Sequence, residues 1–401
     1  MSTSTPEHPS AQKVDAALQR LGLIDRVREL PDSTRTAKDA AEALGCEVGQ
    51  IVKSIVFRST RTSRPVLVLA SGDHRVDEGW MERYVGEPIE RADPEFARGA
   101  TGFAIGGVPP FAHKNSLRTF VDYDLLERSA VWAAAGTPNA VFRLTPLELL
   151  DASDGRPVPV VPWARPPEPG GRWVTFDCYG TLVDWRTGML RALDRRLPGL
   201  ETGARERLFR TYLVEERRVE RGPFLGYRAT MIAALLAAGA VERVPVTPEI
   251  AERVVDSIPE WPLFPDTREA LRALADRGVR LAVLSNIDRD LLERTLACHS
   301  LEVTVTITAD EVHSYKPAPA HWVRFLKAVR GEPELIWHVA GAFEYDIPTA
   351  ERLGFRTAFV TRYDDANAGE GAGVVVRNLT EFAERLALPP DASGSLSPPS
   401  I

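Results

Sequence analysis

The sequence predicts two α/β domains joined by a proline-rich linker. Six prolines fall between residues 157 and 169, with Gly170 and Gly171 after them, a composition typical of an extended linker. The segments on either side, roughly 160 and 217 residues long, each suffice for one hydrophobic core. We therefore expect a first domain at 1–158, a linker at 159–171, a second domain at 172–388 and a disordered tail at 389–401.

The second domain opens on an apolar strand that ends at Asp177 and turns at once through Gly180 and Thr181. In open parallel sheets the reactive crevice lies outside the carboxyl ends of the strands. An Asp at that position faces a ligand, and the turn after it offers free backbone N–H groups to an anion. Asp177 is therefore a candidate nucleophile, and Thr181 belongs to its turn.

Three further segments follow in order and end on polar side chains. A second apolar strand ends on Ser285 and Asn286, a hydroxyl and an amide suited to holding an oxyanion. Lys316 follows a Thr- and Val-rich strand, where one cation can neutralise both nucleophile and substrate. A fourth strand, 335–340, brings Glu344 and Asp346 to the same sheet edge.

These four segments, from residue 172 to about 388, resemble the haloacid dehalogenase-like hydrolase superfamily. The resemblance implies a Rossmann-like core with Asp177 as covalent nucleophile and a helical cap at about 187–262. Caps of this kind close over the substrate and select it. A cap arginine, with Arg217, Arg218 and Arg221 as candidates, is expected to accept the leaving anion.

The residue at position 179 bears on which chemistry the second domain performs. Phosphatases of the superfamily carry an Asp there, whereas this chain has Tyr179, and a tyrosine hydroxyl with its ordinary pKa of about 10 is poorly matched to acid–base work. A leaving halide needs no proton, so the Asp–Tyr pair resembles the 2-haloacid dehalogenase branch. That branch implies a small anionic organic acid as substrate, with Tyr179 and Glu344 among its contacts.

The fourth segment departs from both branches. A phosphatase usually has Gly-Asp at the positions of Ala340 and Gly341 to complete a Mg²⁺ site, and dehalogenases place Ser and Asn near Gly341 and Phe343 to orient water. Because none of these is present, we expect no metal unless Glu344 and Asp346 substitute as ligands, and no cofactor, with Mg²⁺ needed only if the domain is a phosphatase. Phosphatase activity stays open as an alternative. So does a binding protein in which the first domain captures an aminoacyl or nucleotide ligand without turnover and the second domain is a degenerate scaffold.

The first domain combines a cation on a strand with a glycine- and proline-rich loop. Lys53 lies on the otherwise apolar strand 50–57, and in the loop Gly106 and Gly107 allow close backbone approach to a ligand while Pro110 and its neighbour hold the loop rigid. Two helices are predicted before the strand. The first has Val14, Ala17, Leu18 and Leu21 on one face and stops at Gly22, and the second runs from Thr36 to Leu44.

Residues 10–158 resemble the YbaK/EbsC family of aminoacyl-tRNA deacylases, related to the editing domain of bacterial prolyl-tRNA synthetase. The resemblance implies a mixed α/β editing domain that hydrolyses a mischarged aminoacyl ester, with the tRNA acceptor end as partner. Lys53 would hold the terminal phosphate or ester region, and the amides of the Gly106–Pro110 loop would bind the developing oxyanion. Relatives with a Ser-Ala-Gly turn differ from Ala134-Ala135-Gly136 here, so the amino acid is open.

Charge, cysteine usage and hydropathy set further limits. Residues 1–160 carry 19 Lys and Arg against 22 Asp and Glu, so the first domain lacks the cationic footprint usual for nucleic-acid binders. An enzyme that grips only the acceptor end needs few phosphate contacts. Three scattered cysteines indicate a reducing cytoplasm and no zinc site. No apolar run reaches membrane-spanning length, so we expect a cytoplasmic protein without a membrane partner. The oligomeric state is not determined by the sequence.

Overall fold

The computed structural model describes residues 6–30, 36–163, 172–363 and 371–387. The chain divides into two compact units, Met1–Pro166 and Pro167–Ile401, and the division falls inside the predicted linker. Both units are mixed α/β structures, as the sequence predicts. Linker residues 164–171 and the predicted tail 389–401 lie outside the described residues.

The first unit contains two sheets in its described part. A five-stranded sheet has the order β4-β2-β3-β5-β8 and a three-stranded antiparallel sheet has the order β1-β7-β6. The strands are β1 Val27–Glu29, β2 Val52–Ser59, β3 Pro65–Ser71, β4 Ile89–Arg91, β5 Arg118–Asp122, β6 Val131–Ala134, β7 Ala140–Leu144 and β8 Arg156–Val158. The helices are α1 Pro9–Arg20, α2 Ala37–Leu44, α3 Glu78–Val85, α4 Pro94–Thr101, α5 Tyr123–Leu126 and α6 Pro146–Ser153. Because β3 and β5 pair in parallel, their carboxyl ends lie at one sheet edge.

The two predicted helices form as expected except at the end of the first. Val14 and Leu18 are fully buried, but Leu21 is 51% exposed, so its predicted place on the buried face is wrong. The reason is local: α1 ends at Arg20, and Leu21 is the capping residue, where the backbone already leaves helical geometry. The second helix begins after Thr36, which caps it.

The second unit is built on one six-stranded parallel sheet with the order β11-β10-β9-β12-β13-β14. The strands are β9 Trp173–Phe176, β10 Arg280–Ser285, β11 Val305–Thr308, β12 Trp337–Ala340, β13 Arg356–Val360 and β14 Val374–Val376. The first strand is central, and the chain adds two strands on one side before crossing to the other. This is the doubly wound order, and its switch point lies between β9 and β12, where ligands bind outside the carboxyl ends.

Helices cover the sheet and form an insertion after β9. The insertion contains α7 Trp185–Arg196, α8 Thr202–Glu220, α9 Tyr227–Glu242 and α10 Pro248–Asp256. Its two ends lie side by side, because Val183 pairs antiparallel with Leu263. The remaining helices are α11 Thr267–Asp276, α12 Arg289–Cys298, α13 Ala309–Val312, α14 Ala320–Val329, α15 Phe343–Arg352 and α16 Leu379–Ala387. The insertion thus emerges and returns at one point beside the sheet edge, within a few residues of the predicted cap. No helix in the described parts of the chain is long and apolar enough to cross a membrane.

Candidate functional site

The candidate site of the second unit centres on Asp177, which follows β9 directly. Its backbone N–H still donates to Val339 of β12, at 3.0 Å, so the carboxylate emerges where the two central strands end. The hydroxyl of Thr181 donates to Asp177 Oδ2 at 2.7 Å and accepts from the backbone N–H of Gly341 at 2.8 Å. The turn after Asp177 is therefore fastened both to its own carboxylate and to the loop after β12.

Lys316 joins the predicted nucleophile to the predicted acid of the fourth segment. Its Nζ donates to Asp177 Oδ1 at 2.8 Å, to Asp346 Oδ1 at 2.6 Å and to the carbonyl of Leu284 at 3.0 Å. Burial lowers the pKa of Lys316, but the adjacent charges of Asp177 and Asp346 outweigh it and hold that pKa above its ordinary value. The three predicted residues thus form one buried ionic cluster around a permanent cation.

His338 is a member of this cluster that the sequence does not reveal. Its Nε2 lies 2.9 Å from Asp346 Oδ1 and its Nδ1 lies 2.8 Å from the hydroxyl of Thr175 on the neighbouring strand. Burial raises the pKa of Asp346, but Lys316 and His338 together bring it below its ordinary value. The second oxygen of Asp346, Oδ2, has no hydrogen-bond partner among the described residues.

Asn286 positions the lysine rather than presenting a free amide. Its Nδ2 donates to the carbonyl of Lys316 at 3.1 Å, and its Oδ1 accepts from the backbone N–H of Lys316 at 2.6 Å. Ser285 lines the pocket, and its carbonyl lies 3.1 Å from Nε2 of His321. Burial lowers the pKa of His321 to about 3, so this imidazole is neutral and donates to that carbonyl. A role for Asn286 in binding an oxyanion stays a prediction.

Tyr179 points its hydroxyl at helix α12. The hydroxyl of Thr295 donates to the carbonyl of Leu291 at 2.8 Å, so Tyr179 is the donor in its own 2.7 Å contact with Thr295. Burial raises the pKa of Tyr179 well above its ordinary value. Position 179 therefore holds a fixed, neutral hydroxyl, in accord with the expectation that it does not exchange protons.

A cavity of about 150 Å³ lies over Asp177 and Lys316, and the cap supplies much of its wall. Two glutamates of α8, Glu216 and Glu220, line it together with aromatic side chains. Two of the predicted cap arginines, Arg217 and Arg221, line an adjoining cavity that shares Lys316 and Glu220 with the first. Arg217 pairs with Glu344 there at 3.3 Å, and a role for these arginines in accepting an anion stays a prediction.

The loop after β12 leaves no room for a further carboxylate. A Cβ atom at Gly341 would lie 2.1 Å from the carbonyl oxygen of Gly180, a distance that real Cβ atoms do not show. The two carboxylates that are present, Asp177 and Asp346, already share Lys316. This donor set does not fit the octahedral oxygen shell that Mg²⁺ requires.

In the first unit, Lys53 is anchored at the edge where β3 and β5 end. Its Nζ donates to the carbonyls of Gly72, at 3.1 Å, and of His74. Burial lowers the pKa of Lys53. The His74 ring lies between two carboxylates, 2.8 Å from Asp122 and 3.0 Å from Asp124.

The contacts with Asp122 and Asp124 raise the pKa of His74 to about 10. This pKa favours protons on both ring nitrogens of His74 at neutral pH, so His74, Asp122 and Asp124 form an ionic network. Sequence reasoning missed it. The available signal was the Asp-x-Asp at the end of β5 beside a His after the parallel strand β3.

The glycine-rich loop packs against the Ala134–Asn139 turn. A Cβ atom at Gly107 would lie 2.7 Å from the carbonyl oxygen of Gly136, so close backbone contact requires glycine there. Gly106 has φ +89° and faces Pro138. His113 lies 2.8 Å from the carbonyl of Pro109, which fixes the Pro109–Pro110 turn. The hydrogen bonds of the described residues do not connect Lys53 with this loop, so their joint action stays a prediction.

Comparison with known proteins assigns each unit to a family. Residues 31–152 match the family model described as aminoacyl-tRNA editing domain, and residues 172–354 match haloacid dehalogenase-like hydrolase. The uncharacterised protein YwhH of Bacillus subtilis is 32% identical over 32% of this chain and 80% of its own length. (S)-2-haloacid dehalogenase 4A of Burkholderia cepacia is 25% identical over 54% of this chain and 95% of its own. A solved structure described as a candidate trans-editing enzyme for prolyl-tRNA synthetase is 49% identical, over 39% of this chain and 99% of its own, with a TM-score of 0.37.

Proposed function

Because this chain belongs to the aminoacyl-tRNA editing domain family through its first unit and to the haloacid dehalogenase-like hydrolases through its second, we propose that it is a trans-editing hydrolase with two separate active sites. Both families are hydrolases, and the chain is an enzyme of that class. The proposal adds that the first site removes amino acids from mischarged tRNA and that the second uses Asp177 as a covalent nucleophile.

For the first site, the observation that carries the proposal is the anchoring of Lys53. Two backbone carbonyls fix its Nζ at the open end of the sheet, so the cation needs no rearrangement to meet a phosphate or an ester. Burial makes such a preorganised charge more effective on a developing negative charge than it would be in water. The Gly106–Pro110 loop would supply amides to the carbonyl oxygen, and water or the vicinal ribose hydroxyl would be the attacking group.

The test is deacylation of a panel of mischarged tRNAs by the full chain. Lys53→Ala is expected to lower the rate about a hundredfold, the usual loss when one transition-state charge contact is removed. Lys38→Ala, an exposed lysine of α2, is the matched control and should keep the rate. Unchanged turnover by Lys53→Ala would refute the role of this lysine.

For the second site, the supporting observation is the buried cluster of Asp177, Lys316 and Asp346. Burial raises the pKa of Asp177, and the charge of Lys316 opposes that rise and favours the ionised carboxylate, which is the form that attacks. In the first step an oxygen of Asp177 forms a bond to a substrate carbon while the bond to the leaving group breaks, and the electron pair departs with that group. In the second step water adds to the acyl carbon of the resulting ester, which releases the alcohol and restores the carboxylate.

We further propose that this chemistry needs no metal ion. Gly341 cannot be replaced by a carboxylate without displacing the Gly180 turn, and Lys316 already provides the positive charge that a metal would supply. The two proposed steps therefore do not involve Mg²⁺.

The experiment for the second site compares a 2-haloacid panel and a phosphomonoester panel, each with and without excess chelator. Activity that persists in chelator and disappears in Asp177→Asn is expected. Phosphate release that depends on added Mg²⁺ would overturn the proposal. Silence on both panels would favour the alternative in which the second unit is a degenerate scaffold.

A further inference from the structure

In the cavity over Asp177, the side chains that the cap contributes differ in charge from those at the bottom of the cavity, which is called its floor below. The floor holds the base Lys316, which is already shared between Asp177 and Asp346. On the cap side, the described lining residues that carry charge are both acidic, Glu216 and Glu220. Lys316 is the single base among the described residues that line the pocket, against four acids.

The two cap glutamates are placed towards the cavity by helix geometry and hydrogen bonds. They lie one helical turn apart on α8, so they share a face. Glu216 Oε1 accepts from the hydroxyls of Tyr212 and, at 2.7 Å, of Tyr227, and Glu220 Oε2 lies 3.4 Å from the hydroxyl of Tyr345. These contacts hold the carboxyls without supplying a cation.

No described residue forms an ion pair with either glutamate. Arg217, which follows Glu216 in the chain, pairs with Glu344 instead. Burial raises the pKa of Glu216, and burial together with the charge of Glu216 raises the pKa of Glu220 to about 8. The charge of Arg217 lowers the pKa of both acids but does not overcome the effect of burial, and a cationic guest seated between them would lower both pKa values further.

Much of the remaining wall of the cavity is aromatic. Trp185, Trp261, Tyr179, Tyr227 and Tyr345 line the same cavity, and Trp261 is only 3% exposed. Aromatic faces attract ammonium groups through the ring quadrupole, and tryptophan does so best. At the opposite end Asp346 also lines the cavity, with its side chain 1% exposed and its Oδ1 paired with Lys316.

We propose that the second active site binds a substrate that carries an ammonium group, seated between Glu216, Glu220 and the aromatic wall while its reactive carbon faces Asp177. This rests on the proposed function only in taking Asp177 as the reactive end of the pocket. It differs from the sequence-based expectation of a purely anionic organic acid, which stays a prediction that the 2-haloacid panel tests. An amine-bearing or zwitterionic alkyl substrate satisfies both ends.

The test is binding to the full-length chain by isothermal titration calorimetry. Choline and ethanolamine are the cationic probes, and dimethylbutanol and propanol are their neutral carbon isosteres. At least one cation is expected to bind about tenfold or more tightly than its isostere, in line with a cation–π contact supported by a carboxylate. The double variant Glu216→Gln, Glu220→Gln should remove that preference, and Glu206→Gln, an exposed glutamate of the same helix, should keep it.

Equal binding of both cations and their isosteres by the native chain would overturn the inference, and so would a preference that survives in the double variant. The thermal unfolding curve of each variant, measured in parallel, separates a lost contact from a lost fold. Because binding is read without turnover, the result is distinct from the fate of the proposed chemistry. Cation binding in a chain that is silent on every substrate panel would support the inference while the chemistry fails.

Discussion

Replacing Lys316 by methionine is the most direct test of the ionic cluster in the second unit. The substitution keeps most of the apolar stem but removes three hydrogen bonds, to Asp177, Asp346 and the carbonyl of Leu284. The side chains of Asp177 and Asp346 are only 8% and 1% exposed. Two buried carboxylates would then face each other without a cation.

The expected loss is about 3–5 kcal/mol of unfolding free energy at pH 7, the usual cost of leaving a buried charge unpaired. The loss should shrink as the pH falls. In the native chain the pKa of Asp346 lies below that of an unfolded aspartate. Asp346 therefore stabilises the fold at any pH above the unfolded pKa, and this stability is lost as the pH falls through the lower, folded pKa. In the variant, a carboxyl without its cation has a raised pKa and takes up a proton readily.

The assay is urea unfolding read by hydrogen exchange of the β9 and β12 amides, so that the second unit alone is reported. Arg210→Met, which removes an exposed cation of α8, is the control and should change stability by no more than about 0.5 kcal/mol. A loss below about 1 kcal/mol in Lys316→Met, or a loss that grows as the pH falls, would refute the assignment of a shared buried cation.

Three further outcomes are expected. Gly341→Asp should lower stability by at least about 1–3 kcal/mol without creating a Mg²⁺-dependent rise in melting temperature, because the new Cβ meets the Gly180 carbonyl; a rise with Mg²⁺ would contradict the steric argument. Gly107→Ala should destabilise the first unit by about 1–3 kcal/mol through its clash with Gly136, measured by denaturant unfolding, and an unchanged midpoint would count against the close packing. The first unit should lose stability as the pH rises from about 6.5, the pKa of an unfolded histidine, to about 10, the pKa of His74 in the folded chain. The slope should reach at most about 1.4 kcal/mol per pH unit, because the folded state loses the proton that stabilises it. His74→Gln should flatten that slope in the same denaturant measurement.

The ionic cluster at the floor of the second site could be predicted from the sequence, because the order of the strands in the sheet determines where its residues lie. Asp177, Lys316 and Asp346 follow different strands of one parallel sheet, and the carboxyl ends of such strands meet at one edge. Asp177 follows β9 directly and is therefore placed by its position in the chain, whereas Lys316 comes after α13 and Asp346 lies in the first turns of α15. His338 was missed because it lies inside β12, and a histidine within a buried strand looks like a core residue in the sequence. Its hydrogen-bond partner Thr175 lies on a neighbouring strand, which only the structure shows.

The cap was harder to predict, because a helix turns its residues through about 100° each and docking decides which face looks inward. Glu216 and Glu220 line the cavity over Asp177, whereas Arg217 and Arg221, one position later, line the adjoining cavity, which also contains Glu220 and Lys316. The sequence contains both pairs at the same spacing and cannot choose between them.

Which of these two pairs of side chains faces the cavity over Asp177 decides the sign of the charge that the cap presents to a substrate. With the arginines inward, the cap would complement a carboxylate or a departing anion; with the glutamates inward, it complements an ammonium group. The tyrosines that hold Glu216 come from two different helices, α8 and α9, so the phase is set by packing between them rather than by either helix alone. The substrate class of such a hydrolase is therefore encoded in the contact between cap helices, whereas its nucleophile is encoded locally, in the strand and turn that carry Asp177.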